Sequence, residues 1–166
     1  MTLSIDRDSP PPTGTTFSEP DAFSALLAPG ARLLGLDLGT KTIGLALSDV
    51  SRIVASSLET LQRKKFSIDV IALLNIAETH KIAGFVLGLP INMDATEGPR
   101  AQATRAFARN LNQRSPLPVL LWDERLTTQQ ATRLLIEADS SRKRRAEVID
   151  KMAATLILQS ALDRMR

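Results

Sequence analysis

Apolar residues recur from residue 31 onward in runs and spacings that predict alternating strands and helices. Short apolar runs bounded by glycine, proline or polar residues predict strands, and these are Arg32–Leu38, Thr42–Ser48, Ile53–Leu58, Ile82–Gly88 and Val119–Trp122. Helical spacing of apolar positions predicts one helix before the fourth strand and one before the fifth. Two more helices follow the fifth strand. The first is introduced by a capping box at Thr127 and Gln130, and the last runs from about Glu147 to Met165.

The resulting order is β-β-β-α-β-α-β-α-α, which predicts an α/β fold. The first three strands are joined by short connections and form an antiparallel meander. The later strands alternate with helices, which is typical of parallel pairing. We therefore predict a mixed five-stranded sheet flanked by helices on both faces.

Residues 1–30 have a different composition from the rest. They contain five of the nine prolines together with several serines and threonines. This composition predicts a flexible N-terminal extension, with one helical turn at Asp21–Leu27. Residues 31–166 then form the folded domain, which carries 20 basic and 14 acidic residues and is compatible with a nucleic-acid partner.

Composition also limits the chemistry. The chain has no cysteine and a single histidine, His80, which excludes thiolate and multi-histidine metal sites. Any metal must be held by oxygen ligands, which favours Mg²⁺ or Mn²⁺. No apolar run is long enough to cross a bilayer, and the first residues lack an apolar signal core, so a cytoplasmic protein is expected.

Three acidic residues lie where catalysis could use them. Asp37 interrupts an apolar strand in GLDLGTKTIG, where a charge is costly unless it is paired or bound to a cation. Glu124 follows the fifth strand in LLWDERLTT, on the side of Trp122, and Asp150 begins the last helix in VIDKMAATLILQ. Carboxylates that converge at one end of a sheet repel each other, and divalent cations relieve that repulsion and support phosphodiester hydrolysis. Asp37, Glu124 and Asp150 are thus the candidate catalytic and metal-binding residues.

Each acid also has a structural interpretation. Asp37 could cap a turn, and Glu124 could pair with Arg125 or cap the following helix. Asp150 could simply complement the dipole of its helix. The functional interpretation depends on all three occurring in this order of elements.

Basic residues near these acids are candidate phosphate ligands. The segment Ser140–Arg145, with Arg142, Lys143, Arg144 and Arg145, is either a mobile phosphate clamp or a solvated loop between two helices. Lys41 and Arg125 are further nucleic-acid-binding candidates, although an exposed turn lysine is equally compatible with position 41.

Four separated blocks, GLDLGTKTIGLALSD, GLPINMDATEGP, DERLTT and VIDKMAATLILQ, occur in order over residues 31–166. In these blocks the chain resembles the YqgF family of pre-16S rRNA nucleases, whose fold is ribonuclease-H-like. The resemblance implies that Asp37, Glu124 and Asp150 match the acidic triad of resolvase-like nucleases. It also implies processing of the 5′ end of pre-16S rRNA in the cytoplasm. Thr42 departs from the family pattern, in which many members have arginine.

Other functions remain open from the sequence alone. A Holliday-junction resolvase would use the same acids, and GLDLGTKTIG also resembles the first phosphate loop of actin-like ATP-binding domains. A non-catalytic nucleic-acid-binding module is a further alternative. The predicted partner is nucleic acid, with no membrane and with a monomer or weak dimer, but these residues do not distinguish RNA from DNA.

Overall fold

The computed structural model describes residues 14–127 and 142–166. Over residues 142–151 it describes the backbone and not the side chains. The backbone at 124–127 is helical. The other elements, in chain order, are β1 (Thr16–Phe17), α1 (Pro20–Ser24), β2 (Arg32–Leu38), β3 (Thr42–Ser48), β4 (Ala55–Gln62), α2 (Phe66–Thr79), β5 (Ile82–Leu89), α3 (Pro99–Asn112), β6 (Val119–Asp123) and α4 (Arg142–Arg164).

The strands form one mixed sheet in the order β1-β6-β5-β2-β3-β4. β2, β3 and β4 form the predicted antiparallel meander. β5 pairs in parallel with both β2 and β6. The mixed sheet is confirmed, but the predicted number of five strands is wrong. The sixth strand is β1, which pairs in parallel with β6 through Thr16 and Phe17.

Helices cover both faces of the sheet, as predicted. Leu34, Leu36 and Leu38 of β2 belong to a core that α2 and α3 complete on one face. Leu33 belongs to a second core on the other face, which α4 completes. Successive residues of a strand point to opposite faces, so Asp37, between Leu36 and Leu38, is on the α4 face.

The structure differs from the predicted flexible extension over residues 14–30. Phe23 of α1 is fully buried in the core on the α4 face. A Cβ atom added to Gly84 of β5 would lie 2.9 Å from Phe23 Cζ, so the absence of a side chain at Gly84 makes room for the ring. The two-residue β1 and the buried ring attach this segment to the sheet. Residues 1–13 of the predicted extension lie outside the described residues.

The C-terminal helix begins earlier than predicted. α4 starts at Arg142, so the backbone of 142–145 is helical and does not form the expected loop between helices. Arginine and lysine are favourable helix formers, which explains why a basic run can begin a helix. The predicted helix with Ala131, Leu134, Leu135 and Ala138 lies outside the described residues. Among the helices described, none has the length and apolarity needed to cross a membrane.

Candidate active site

Asp37 lies near the end of β2 between two glycines of the neighbouring strands. Gly44 of β3 is its direct partner, and Gly88 of β5 is one position beyond Leu87, which pairs with Leu36. A Cβ atom on Gly44 would lie 3.7 Å from the Cβ atoms of both Asp37 and Ala154. Because neither neighbour in this row of the sheet has a side chain of its own, the space beside Asp37 is available to groups from other elements.

Glu124 occupies the space above Gly88. A Cβ atom added to Gly88 would lie 2.5 Å from Glu124 Oε1 and 3.1 Å from Glu124 Cγ. Gly88 pairs with Trp122, so Glu124 is on the Trp122 side, as strand alternation predicted. The sheet register therefore brings Glu124 and Asp37 close together at one end of the α4 face.

The electrostatics of Glu124 reflect this arrangement. Burial raises the pKa of its carboxyl to about 7, and the negative charges of Asp37 and, to a smaller extent, Asp123 add to the increase. The positive charge of Arg100 acts in the opposite direction. A buried carboxyl beside another carboxylate favours either a proton or a cation, because either one neutralises the excess negative charge.

The backbone around Glu124 is fixed by its sequence neighbours. The Arg125 guanidinium donates to the Asp123 carboxylate, with an Nη2–Oδ2 distance of 2.7 Å, and lowers the pKa of Asp123. The buried Trp122 Nε1 donates to Thr127 Oγ1 at 2.9 Å. These contacts hold the turn on both sides of Glu124. Arg125 binds Asp123, whereas the structural interpretation from sequence paired it with Glu124.

Asp37 also borders an open cleft. Its volume is about 160 Å³, and its wall is formed by strands β2, β3 and β4 together with α4. The polar lining residues other than Asp37 are Thr42, Ser57, Glu59, Thr60 and Thr155. A substrate phosphate could therefore reach Asp37 from solvent without a large rearrangement.

Asp150 lies in α4, four residues before Ala154. Its side chain is outside the described part of the chain. Among the side chains that are described, no group of three or more histidines, cysteines, aspartates or glutamates is placed to hold a metal ion. The structure thus brings two of the three predicted acids together and leaves the position of the third carboxylate as a prediction.

Apart from Arg125, the candidate phosphate-binding residues lie in two separate parts of the chain, the β2–β3 turn and the start of α4. Lys41 is exposed in the β2–β3 turn, and its carbonyl accepts a hydrogen bond from Arg63 N at 2.8 Å. Arg142, Lys143, Arg144 and Arg145 belong to the first turns of α4, and their side chains lie outside the description. Their contact with phosphate stays a prediction.

Sequence reasoning missed the importance of Gly88 and Arg100. The sequence pattern marks Gly88 only as the end of the predicted strand Ile82–Gly88, whereas the structure shows that it accommodates the Glu124 side chain. Arg100 follows the proline that begins α3, and its charge acts on Glu124. Gly88 had a possible signal, because a glycine inside a buried strand often marks a close approach of another group. Arg100 had no signal of this kind.

Comparisons with known proteins agree with this geometry. Residues 31–164 match the RuvX family, described as "Holliday junction resolvase". A Rhodobacter capsulatus protein named "Putative pre-16S rRNA nuclease" is 59% identical over 145 residues, covering 87% of this chain and 91% of the relative. A Ruegeria pomeroyi protein of the same name is 59% identical over 146 residues, covering 88% and 95%.

Structural similarity supports the fold. The structure of T. thermophilus RuvC in complex with a Holliday junction substrate aligns with a TM-score of 0.53 at 12% identity. The alignment covers 81% of this chain and 95% of RuvC, and it supports the ribonuclease-H-like fold predicted from the sequence. The predicted resemblance to YqgF proteins is confirmed by the family match and by the curated relatives. Since the match spans most of the chain, the protein belongs to the RuvX family.

Proposed function

We propose that this protein is a metal-dependent nuclease that processes the 5′ end of pre-16S rRNA in the cytoplasm. The observation that carries the proposal is the proximity of the Asp37 and Glu124 carboxyl groups, where Gly88 makes room for Glu124 and Gly44 leaves space beside Asp37. The names of the relatives, which are more than half identical to this chain, support the rRNA substrate. Family membership favours a nuclease over an actin-like ATP-binding domain.

Asp37, Glu124 and Asp150 are the proposed catalytic residues and metal ligands. Asp150 is included because residues four apart share one side of a helix, and Ala154 lies against Gly44 next to Asp37. The donor set fits a hard divalent cation, since it consists of carboxylate oxygens and includes a glutamate whose pKa is raised by burial and a nearby charge. Bound there, Mg²⁺ or Mn²⁺ would supply charge stabilisation to the phosphodiester and lower the pKa of water.

The chain's own residues prepare the site for that chemistry. Gly88 makes room for the Glu124 side chain, and Gly44 leaves space beside Asp37. The Asp123–Arg125 ion pair and the Trp122–Thr127 hydrogen bond orient the backbone of Glu124. In the metal-free protein, the Glu124 carboxyl can hold a proton near neutral pH. Lys41 and the basic residues at 142–145 would bind phosphates of the substrate strand away from the acids.

A junction-resolving activity is the second candidate, because the family description names it. A resolvase normally acts as a symmetric dimer on two matched strands, whereas an rRNA nuclease needs one site. Light scattering of the protein alone and with a four-way junction would separate the two. A stable dimer that cuts the junction symmetrically would favour resolution, and a monomer or weak dimer that cuts only RNA would favour rRNA processing.

The direct test is a cleavage assay on the full chain. The substrates are a pre-16S rRNA fragment spanning the mature 5′ end, single-stranded DNA of matched length and a four-way DNA junction. We expect cleavage of the rRNA fragment with Mg²⁺ or Mn²⁺ and none in EDTA. Labels at the two ends distinguish internal from terminal cleavage. Glu124→Gln should be inactive, and Glu78→Gln, at an exposed position on α2, is the matched control. Full activity in EDTA would refute the metal-dependent mechanism.

A further inference from the structure

Two arginines meet at the β2–β3 turn. Arg63, which directly follows β4, donates from Nη1 to the carbonyl of Gly39 at 2.6 Å. Arg100, in the first turn of α3, donates from Nη2 to the carbonyl of Leu38 at 2.9 Å. Together with Thr40, these residues line a small open cavity of about 80 Å³. Two residues far apart in sequence, one just after β4 and one in α3, therefore place two guanidinium groups at one short turn.

The two guanidinium groups retain most of their hydrogen-bonding capacity. Among the described residues, the hydrogen bonds of their side chains are to backbone carbonyls, which carry no formal charge. Arg105 and Arg125, in contrast, are paired with the carboxylates of Glu97 and Asp123. A guanidinium has five N–H donors, so one bond to a carbonyl leaves several available for a second ligand. The cavity therefore combines concentrated positive charge with free donors.

The start of α3 adds to the positive potential. α3 has 14 residues, begins at Pro99 next to Arg100, and has neither a side-chain cap nor an acidic residue in its first turn. The N-terminus of a helix favours anions, because its first N–H groups point outward without helical partners. The first turn of α3 contains no carboxylate, and Glu97, which precedes the N-cap Gly98, is paired with Arg105.

The cavity adjoins the candidate active site. Leu38, whose carbonyl binds Arg100, follows Asp37 in β2. The charge of Arg100 also acts on Glu124, so the guanidinium lies within electrostatic range of the acids. A nucleic-acid strand with a phosphate near Asp37 and Glu124 could place a neighbouring phosphate at the two arginines.

We propose that Arg63 and Arg100 form a phosphate subsite that binds a backbone phosphate of the substrate strand beside the one that is cleaved. This assignment rests on the proposed nuclease function. It adds that the substrate strand runs from Asp37 and Glu124 toward the β2–β3 turn. Arginine suits this role because its planar fork binds two phosphate oxygens at once. The pair positions the substrate and takes no part in the proton transfers.

The test measures nucleic-acid binding and cleavage separately. Binding of the full chain to a fluorescent, unstructured single-stranded RNA is measured in EDTA over a series of salt concentrations, with a DNA strand of matched sequence beside it. The variants are Arg63→Ala, Arg100→Ala and Arg63→Lys. Arg109→Ala is the matched control, because Arg109 is an exposed arginine on α3 more than two turns from Arg100.

Each alanine variant should bind about tenfold more weakly, which is the effect of losing one charge-assisted contact. The slope of log K against log salt should fall by about 0.7 per lost phosphate contact. KM for cleavage should rise more than kcat falls, Arg63→Lys should be intermediate, and Arg109→Ala should match the wild type. RNA and DNA should lose affinity equally, because the subsite contacts phosphate.

Two results would overturn the assignment. Wild-type affinity and salt slope in both alanine variants, with a lower melting temperature, would show that the arginines only hold the β2–β3 turn. Loss of affinity confined to RNA would show contact with the ribose in place of phosphate. A wild-type protein that binds the strand through these arginines but never cleaves it would instead refute the proposed function and leave the subsite intact.

Discussion

Gly88 and Glu124 are in contact across the end of the sheet, and the glutamate carboxylate occupies the position that a side chain at residue 88 would need. The distance from a Cβ atom on Gly88 to Glu124 Oε1 would be 2.5 Å, which is too short for two non-bonded atoms. The position of a catalytic candidate thus depends on the absence of a single methyl group.

Gly88→Ala should displace the Glu124 carboxylate and reduce cleavage at least tenfold. Gly44→Ala is the comparison variant on the other side of Asp37. Its methyl would meet the Cβ atoms of Asp37 and Ala154 at an ordinary 3.7 Å, so it should lose less activity than Gly88→Ala. The added methyl at 88 also approaches Ile157 Cδ1 at 2.6 Å, so a loss of about 1–3 kcal/mol in stability is expected. Melting curves and cleavage rates are measured for both variants.

A double variant separates the two effects of the methyl group. Ile157→Val removes the Cδ1 atom and should restore part of the stability of Gly88→Ala without restoring its activity. Recovery of activity together with stability would mean that Gly88 serves only the packing of α4.

Variants of the three candidate catalytic acids should lose cleavage activity and should still fold. Asp37→Asn, Glu124→Gln and Asp150→Asn each keep the shape of the side chain and remove one negative charge, so each should weaken metal binding and abolish or severely reduce cleavage. Glu78→Gln, which also removes one negative charge but at an exposed position on α2, is the matched control. Near-wild-type cleavage by the Asp37 variant would refute the proposed metal-dependent mechanism. Normal activity of Asp150→Asn alone would remove Asp150 from the site.

Metal-free stability should depend on pH through Glu124. The pKa of this carboxyl is about 7 in the folded protein against an ordinary value of 4.5. The folded state therefore holds a proton that the unfolded chain has released, so this contribution is present at low pH and is lost as pH rises through about 7. From pH 5 to pH 8 in EDTA, the wild type should lose about 1–3 kcal/mol relative to Glu124→Gln. Equal pH profiles from urea unfolding would contradict this.

The segment around Phe23 should contribute to stability. Phe23 is fully buried, so Phe23→Ala should cost about 3–5 kcal/mol, and removal of residues 1–30 should destabilise the protein at least as much. Leu26→Ala is the control, because Leu26 is 61% exposed and its truncation should change stability by less than about 0.5 kcal/mol. Removal of residues 1–13 alone should leave cleavage intact. A fully stable protein lacking residues 1–30 would restore the interpretation as a flexible extension.

The basic start of α4 should contribute to binding through charge. Replacing Arg142, Lys143, Arg144 and Arg145 by alanine should weaken binding similarly for all sequences, because phosphates carry no sequence information. The salt slope should flatten by about 0.7–0.9 log units for each lost phosphate contact. The double variant Arg109→Ala/Arg114→Ala removes two exposed arginines near the end of α3 and serves as the control. Unchanged affinity and slope would assign the run to an ordinary solvated surface.

The sequence predicted the central sheet well because its signals are local. The apolar run of β2 and the glycine that follows it identify a buried strand directly, and the residues after β6 identify the turn that carries Glu124. β1 was missed because a two-residue strand has no periodicity and forms only against the edge of β6. The early start of α4 was missed because a charged run has no apolar face to mark it.

The candidate site was predictable to the extent that it depends on strand ends. The proximity of Asp37 and Glu124 follows from the alternation and order of strands, which sequence patterns contain. The function of Gly88 depends on the register between β5 and β2, and the meeting of Arg63 with Arg100 depends on tertiary packing across 37 residues. A pattern of residues within one short segment of sequence predicts neither the strand register nor the proximity of the two arginines.

The contacts between α4 and the meander have a consequence for the order in which activity appears during folding. Gln159 of α4 accepts a hydrogen bond from Ala55 N across 104 residues of sequence, and Ala154 of the same helix lies against Gly44. Closing contacts over such separations costs chain entropy that local contacts do not cost, so we expect these contacts to form late in folding. A partly folded intermediate would hold Asp37 on its meander but would lack the proposed contribution of Asp150. We therefore expect nuclease activity to return during refolding only with the docking of α4. Activity that returns before the Ala55 amide, which donates to Gln159, is protected from hydrogen exchange would contradict this order.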